Sequence, residues 1–188
     1  MKRALIIALP FALAACGGPE ASDNPDEPRS SETTDAAPSD RLAGAKLVVS
    51  ADGIGAKGGQ PLRFGSGRSD VDALASEAYG SPGETSSNPE CGAGPMEFSQ
   101  YGPLQIGYLD GKFAGWFLRE GDGVVTSDGI RPGITLEALK DERQVQQLDT
   151  TLDGEFQYTA ADYGTITGFA GEGGTITGLA AGVTCFFR

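Results

Sequence analysis

Leu104-Gln105-Ile106-Gly107-Tyr108-Leu109-Asp110-Gly111-Lys112-Phe113-Ala114-Gly115-Trp116-Phe117-Leu118 is the stretch that decides the fold class. Leu104, Ile106 and Tyr108 alternate with polar or small residues, the two-residue period of a strand with one buried face. Phe113 with Trp116-Phe117-Leu118 makes a second apolar run. Asp110-Gly111 between the runs tolerates the positive φ that a tight hairpin demands. Outward from this hairpin, residues 46–50 predict a short strand. Ser69-Asp70-Val71-Asp72 opens a helix: Ser69 can cap it, the aspartates suit its positive end, and Val71, Leu74, Ala75 and Ala78 share one face. Gly80 and Pro82 stop it. Met96 and Phe98 alternate as a strand. After Val124-Val125-Thr126 a second helix starts at Thr135 as cap, with Leu136, Leu139 and Val145 on its apolar face. Strands return at Phe156/Tyr158, 166–169, 175–179 and 183–187.

The two halves echo each other. Arg63-Phe64-Gly65-Ser66 before the first helix matches Arg131-Pro132-Gly133-Ile134 before the second. Gly107-Tyr108-Leu109-Asp110-Gly111 with Gly115-Trp116 matches Gly168-Phe169-Ala170-Gly171 with Gly178-Leu179. The expected fold is α+β: tandem helix-plus-antiparallel-sheet repeats over about 60–118 and 128–188, forming a curved sheet with two helices packed on one face. The pattern Phe64-Gly65…Val71…Leu74…Tyr79-Gly80-Ser81-Pro82 resembles the helix motif of BamE-like (SmpA/OmlA) lipoproteins and of the tandem-repeat β-lactamase inhibitor protein. The second half keeps Gly133 and the helix but has no Gly-x-Pro stop. The resemblance implies a curved sheet that binds other proteins, and fold analogy alone carries no function.

At the N-terminus Met1-Lys2-Arg3 leads into an apolar run over 4–12, too short to span a bilayer, and then into Leu13-Ala14-Ala15-Cys16. This layout is that of a secretory signal over 1–15 and not of a transmembrane helix. A cysteine at the cleavage position resembles the bacterial lipobox, which implies acylation of Cys16, palmitate being among the chains expected. Gly17 after it, where aspartate would retain the protein at the inner membrane, implies by the same resemblance an outer-membrane anchor facing the periplasm. Residues 16–44 combine this cysteine with Pro, Ser, Thr, Asp, Glu and Ala and almost no large apolar residue. Such a segment cannot bury enough surface to offset its ordering entropy and is expected to be a disordered acidic tether. A single domain is expected over 45–188.

The chain carries 14 basic and 26 acidic side chains and no histidine, a net charge of −12. Cleavage would remove Lys2 and Arg3 and take this to −14. That surface repels phosphate backbones and anionic headgroups, so nucleic acid is not an expected partner and membrane attachment falls to the lipid anchor. With Cys16 acylated, Cys91 and Cys185 are left with one possible pairing, and an oxidising compartment favours a disulfide. Two thiols without histidine do not make a metal site, and Cys-x-x-Cys is absent.

Most chemistry fails on the same residues. Gly53-Ile54-Gly55-Ala56-Lys57-Gly58 spells a dinucleotide fingerprint, but Gly59-Gln60-Pro61 interrupts where a helix must begin, so a glycine loop is expected. Acid–glycine pairs at Asp52, Asp110, Asp122, Asp128 and Asp153 read as turns; a calcium site, with Glu120-Gly121-Asp122 as its candidate, is the alternative. Histidine-dependent triads are impossible and no Ser-x-x-Lys occurs. Paired carboxylates for glycoside hydrolysis stay open, since any acidic domain holds candidates. A non-enzymatic protein without cofactor or metal is expected.

Aromatic residues crowd the strands. Trp116 and Phe117 must face opposite sides, as must Phe186 and Phe187. Either the chain's own helices cover the sheet, or Tyr108, Phe113, Trp116, Tyr158 and Phe169 form a protein-binding face. The expected role is a cell-envelope lipoprotein acting as a protein-binding accessory or scaffold. The alternatives are an inhibitor of an envelope hydrolase that probes a basic active site with Asp110 and Asp128, and a small-ligand or calcium-binding protein.

Overall fold

The Asp110-Gly111 turn forms as expected: Asp110 has φ 51° and Gly111 φ 70°, and they join two strands of a hairpin. The computed structural model describes residues 38–160 and 164–185. The signal, Cys16, the tether up to residue 37, Tyr163, Phe186 and Phe187 lie outside them.

The elements in order are α1 (Pro38–Arg41), β1 (Leu47–Ser50), β2 (Gly53–Ala56), β3 (Leu62–Arg63), α2 (Arg68–Tyr79) and β4 (Glu84–Asn88), then β5 (Met96–Tyr101), β6 (Leu104–Leu109), β7 (Lys112–Arg119) and β8 (Val124–Thr126). They continue with α3 (Leu136–Glu142), β9 (Val145–Gln147), β10 (Glu155–Thr159), β11 (Thr165–Ala170) and β12 (Ile176–Gly182). The fold is mixed α+β and mostly strand, with two sheets. The small one has order β3-β2-β1-β8 and is antiparallel except where β1 meets β8; the large one is eight-stranded, β4-β5-β6-β7-β12-β11-β10-β9, and antiparallel throughout.

The large sheet consists of two four-stranded meanders, each following one of the longer helices, that meet at β7 and β12. Matching bonds tie each lead-in to its own meander. The Gly65 N–H donates to Phe113 O and the Phe113 N–H to Ser66 O; the Gly133 N–H donates to Ile176 O and the Ile176 N–H to Ile134 O. Gly65 and Gly133 have φ of 93° and 99°, a region open to glycine and strained for other residues.

One face of the large sheet is the core side. Leu104, Ile106, Tyr108, Phe113, Trp116, Leu118, Phe156, Tyr158, Ile166 and Leu179 pack with Val71 and Ala75 of α2, Leu136 and Leu139 of α3, and Leu47, Val49 and Ile54 of the small sheet. The Trp116 Nε1–H donates to Ser50 O at 2.8 Å, which fixes the ring between the sheets. Burial on this scale is the main stabilising term.

Several expectations need correction. Gly67, not Ser69, is the N-cap of α2, and no side chain caps that end, since the lead-in bonds to β7 set where the helix begins. Thr135 does cap α3, accepting from the Ala138 N–H at 3.1 Å. Val145 is not on that helix but in β9, paired with Tyr158. The glycine loop expected from residue 53 is in its first half a strand, β2, held antiparallel to β1 with Val49 opposite Ile54. The tether expected to reach residue 44 has a helical turn at Pro38–Arg41, where Arg131 donates to Arg41 O and Ala43 O. The strand expected at 175–179 is β12, which runs on to Gly182 (φ 75°), whereas Val183, Thr184 and Cys185, expected to open a further strand, lie in none.

Beyond Gly182 the chain leaves the sheet and crosses Gly115, where a Cβ would lie 2.2 Å from Val183 O. This strap of Val183, Thr184 and Cys185 ends in a disulfide to Cys91, the pairing expected. Cys91, Met96 and Phe98 form a second small cluster on the side of the sheet away from the main core.

Candidate functional site

Four of the five aromatic residues expected on a binding face belong to the core. Tyr108, Phe113, Trp116 and Tyr158 are each at most 1% exposed, so none is available to a partner. Their strand parity is the reason: Tyr108 pairs with Phe113, Ile106 with Trp116 and Tyr158 with Ile166, all on the side closed by the helices and the small sheet. Only Phe169 lies on the other face, half-buried, its ring edge-on to Phe117 with centroids 6.1 Å apart.

That outer face is the candidate site. Strand register lays one row of side chains across it: Gln100, Gln105, Phe117, Ala180, Thr167, Gln157 and Gln146. Neighbours in such a row stand about 4.8 Å apart along the hydrogen-bonding direction. The Gln157 Nε2–H donates to Gln146 Oε1 at 2.8 Å, which orients both carboxamides. Glutamine and threonine carry no apolar signal, so the row does not stand out in the sequence as the aromatic residues do. The signal was present: Gln105 and Gln157 are the polar members of alternating strands, between Leu104 and Ile106 and between Phe156 and Tyr158.

The face divides in two. Over β5, β6 and β7 the strap covers a row of glycines, Gly107, Gly115 and Gly182, and leaves a shallow hollow of ≈ 40 Å³ among Phe98, Gln105, Phe117 and Val183. Val183, 37% exposed, is the one large apolar side chain among the described residues that is openly exposed. Over β9, β10, β11 and the end of β12 lie two adjoining hollows of ≈ 280 and ≈ 250 Å³ that share Gln157 and Thr165.

The charged groups near the core serve structure. Asp72 of α2 accepts from the Tyr108 hydroxyl at 2.7 Å and pairs with Arg68 at 3.1 Å. Asp128, whose side chain is 1% exposed, pairs with Arg143 at 3.1 Å and accepts from the Thr126 hydroxyl at 2.6 Å. Asp128 therefore cannot probe a partner's active site, whereas Asp110 is exposed at its hairpin tip. Among the described residues no group of three or more His, Cys, Asp or Glu side chains is placed to hold a metal ion, Glu120 and Asp122 included. Nor is any described helix long and apolar enough to cross a membrane.

Burial and then the Asp72 contact push the Tyr108 hydroxyl far above the usual tyrosine range; burial and then the Asp128 charge do the same for Tyr158. In the unfolded chain both ionise near 10.0. Their contribution is complete below that pH and is lost as pH rises toward the folded values. Stability should hold up to about pH 10 and then fall by about 1.4 kcal/mol per pH unit for each tyrosine. Urea titrations across this range should show a clearly shallower slope in Tyr158→Phe, with Tyr108 and, by burial, Tyr79 supplying the rest; an unchanged slope would count against the assignment.

No protein-family model, no curated protein and no solved structure matches this chain. The outer face must accordingly be read on its own geometry.

Proposed function

We propose that this is a non-enzymatic lipoprotein of the cell envelope, held by an acylated Cys16 at an outer membrane and facing the periplasm, that acts as an accessory or scaffold for another envelope protein. The observation that carries the reading is the one-sided cover of the large sheet: both longer helices and the small sheet serve the core side, and the apolar part of the outer face gathers around the strap. Val183 there stands beside Phe98 and Phe117, a small apolar centre with a polar surround, the composition expected of a protein contact. The net charge of −12 would steer a basic partner toward it.

We also propose that the domain is a tandem duplication with a curved sheet, and that the likeness to BamE-like lipoproteins and the β-lactamase inhibitor protein rests on this plan. In support, the lead-in bonds of the two halves correspond, and the β7–β12 register, Gly115 with Gly182 and Arg119 with Gly178, is one that a local two-fold axis through Phe117 and Ala180 would produce.

Crosslinking in intact cells, followed by capture of the full chain, tests the functional reading. A defined protein should be recovered with the native chain, depleted for Cys16→Ser, and lost for Val183→Asp at unchanged expression. Equal recovery with Val183→Asp would sink the assignment of the contact to the strap.

A further inference from the structure

The half of the outer face over β9, β10 and β11 has a chemistry of its own. Its two hollows, joined at Gln157 and Thr165, are walled mainly by carboxamides and hydroxyls: Gln146, Gln157, Thr159, Thr165, Thr167 and Thr184. No charged side chain lines either hollow among the described residues, on a chain whose net charge is −12. Carboxamides and hydroxyls each donate and accept, so such a wall suits a ligand whose own groups do both. It offers no cation to a phosphate or carboxylate and no anion to a basic peptide. Half-buried Phe169 lines the first hollow beside Ala180 and Ala181, but the surface of both hollows is mainly polar, unlike the apolar centre of a protein contact. Ala180, Ala181 and Gly182 of β12 line the first hollow with small residues, which leaves room for a chain to lie beside Gln157 and Thr167.

We infer that this trough is a binding site for an uncharged glycan chain. Successive sugar hydroxyls, and acetamido groups where present, would bridge the row formed by Thr167, Gln157 and Gln146, spaced by strand register. The Gln146–Gln157 hydrogen bond preorganises the two carboxamides, which lowers the ordering cost of binding. Because the wall is neutral, binding is insensitive to ionic strength. The site adjoins the strap, with which it shares Thr184, but rests on different side chains from the Val183 contact and does not depend on that contact being real.

The test is calorimetric titration of the purified oxidised protein with chitohexaose and with maltohexaose, two uncharged oligosaccharides with and without acetamido groups. Saturable binding of either, unchanged between low and high salt, is expected. Gln157→Ala combined with Thr167→Val should weaken it by about tenfold, the loss of two hydrogen bonds. The single exposed-site change Gln146→Ala gives a milder loss and guards against a folding defect, which thermal melting of each variant checks. No binding of either sugar, binding unaltered in the double variant, or binding abolished by salt would overturn the proposal. So would loss of the captured protein in the double variant without any sugar binding, which would return the trough to the protein contact.

Discussion

Replacing Cys91 and Cys185 by serine should lower the unfolding free energy by about 4–5 kcal/mol, the largest effect expected of any change considered. The two residues are 94 apart in sequence, so the bond closes most of the domain into one loop and removes a large share of the unfolded chain's freedom. The folded state loses as well. Cys91 is 6% exposed and packs with Met96 and Phe98, while Cys185 anchors the strap and receives a hydrogen bond from the Asn88 carboxamide at 3.2 Å. Urea unfolding of the native chain and the double variant, compared at equal slope, measures the difference. A loss below about 1 kcal/mol would mean that the loop-closure account fails here. The same variant should release Val183 and Thr184 from Gly115, readable as faster amide exchange on β7.

The second large effect concerns Asp128. Arg143→Ala should cost about 3 kcal/mol, because it leaves a carboxylate whose side chain is 1% exposed without its paired cation, neutral donors such as the Thr126 hydroxyl remaining. The pair joins the end of α3 to the turn that follows β8, so the loss is also a loss of position for the helix. Removing both charges together, as Asp128→Asn with Arg143→Met, should cost clearly less than Arg143→Ala alone, since no buried charge is then unpaired. A double-mutant cycle by chemical denaturation checks this. If the double variant were the less stable of the two, the ion pair would be contributing net stability and the desolvation argument would be wrong.

What could be read in advance follows a physical line. Asp110-Gly111, the Thr135 cap and the alternation of Leu104, Ile106 and Tyr108 are local signals, and each led to the right element. Strand β2 was hidden because two of its four residues are glycine, and only pairing with β1 makes it a strand. Strand β4, Glu-Thr-Ser-Ser-Asn, has no apolar residue and exists through its ladder to β5. The parallel contact of β1 with β8 has no local trace at all. For the candidate face, parity showed that Trp116 and Phe117 oppose each other but not which of them meets the helices. Yet Tyr108 shares its parity with Leu104 and Ile106, and that alone argued for the core.

The seam between β7 and β12 has a consequence for how the molecule is made. Within each meander neighbouring strands are consecutive, so the first can assemble as soon as residue 119 is available. Its β7 then waits as a bare edge, with Trp116 and Leu118 uncovered on one flank, until Ala181 and Leu179 arrive. A chain held at that stage would present an edge open to pairing with another copy. The strand that completes the sheet ends this hazard, and Cys185 just beyond it bolts the seam once it has closed.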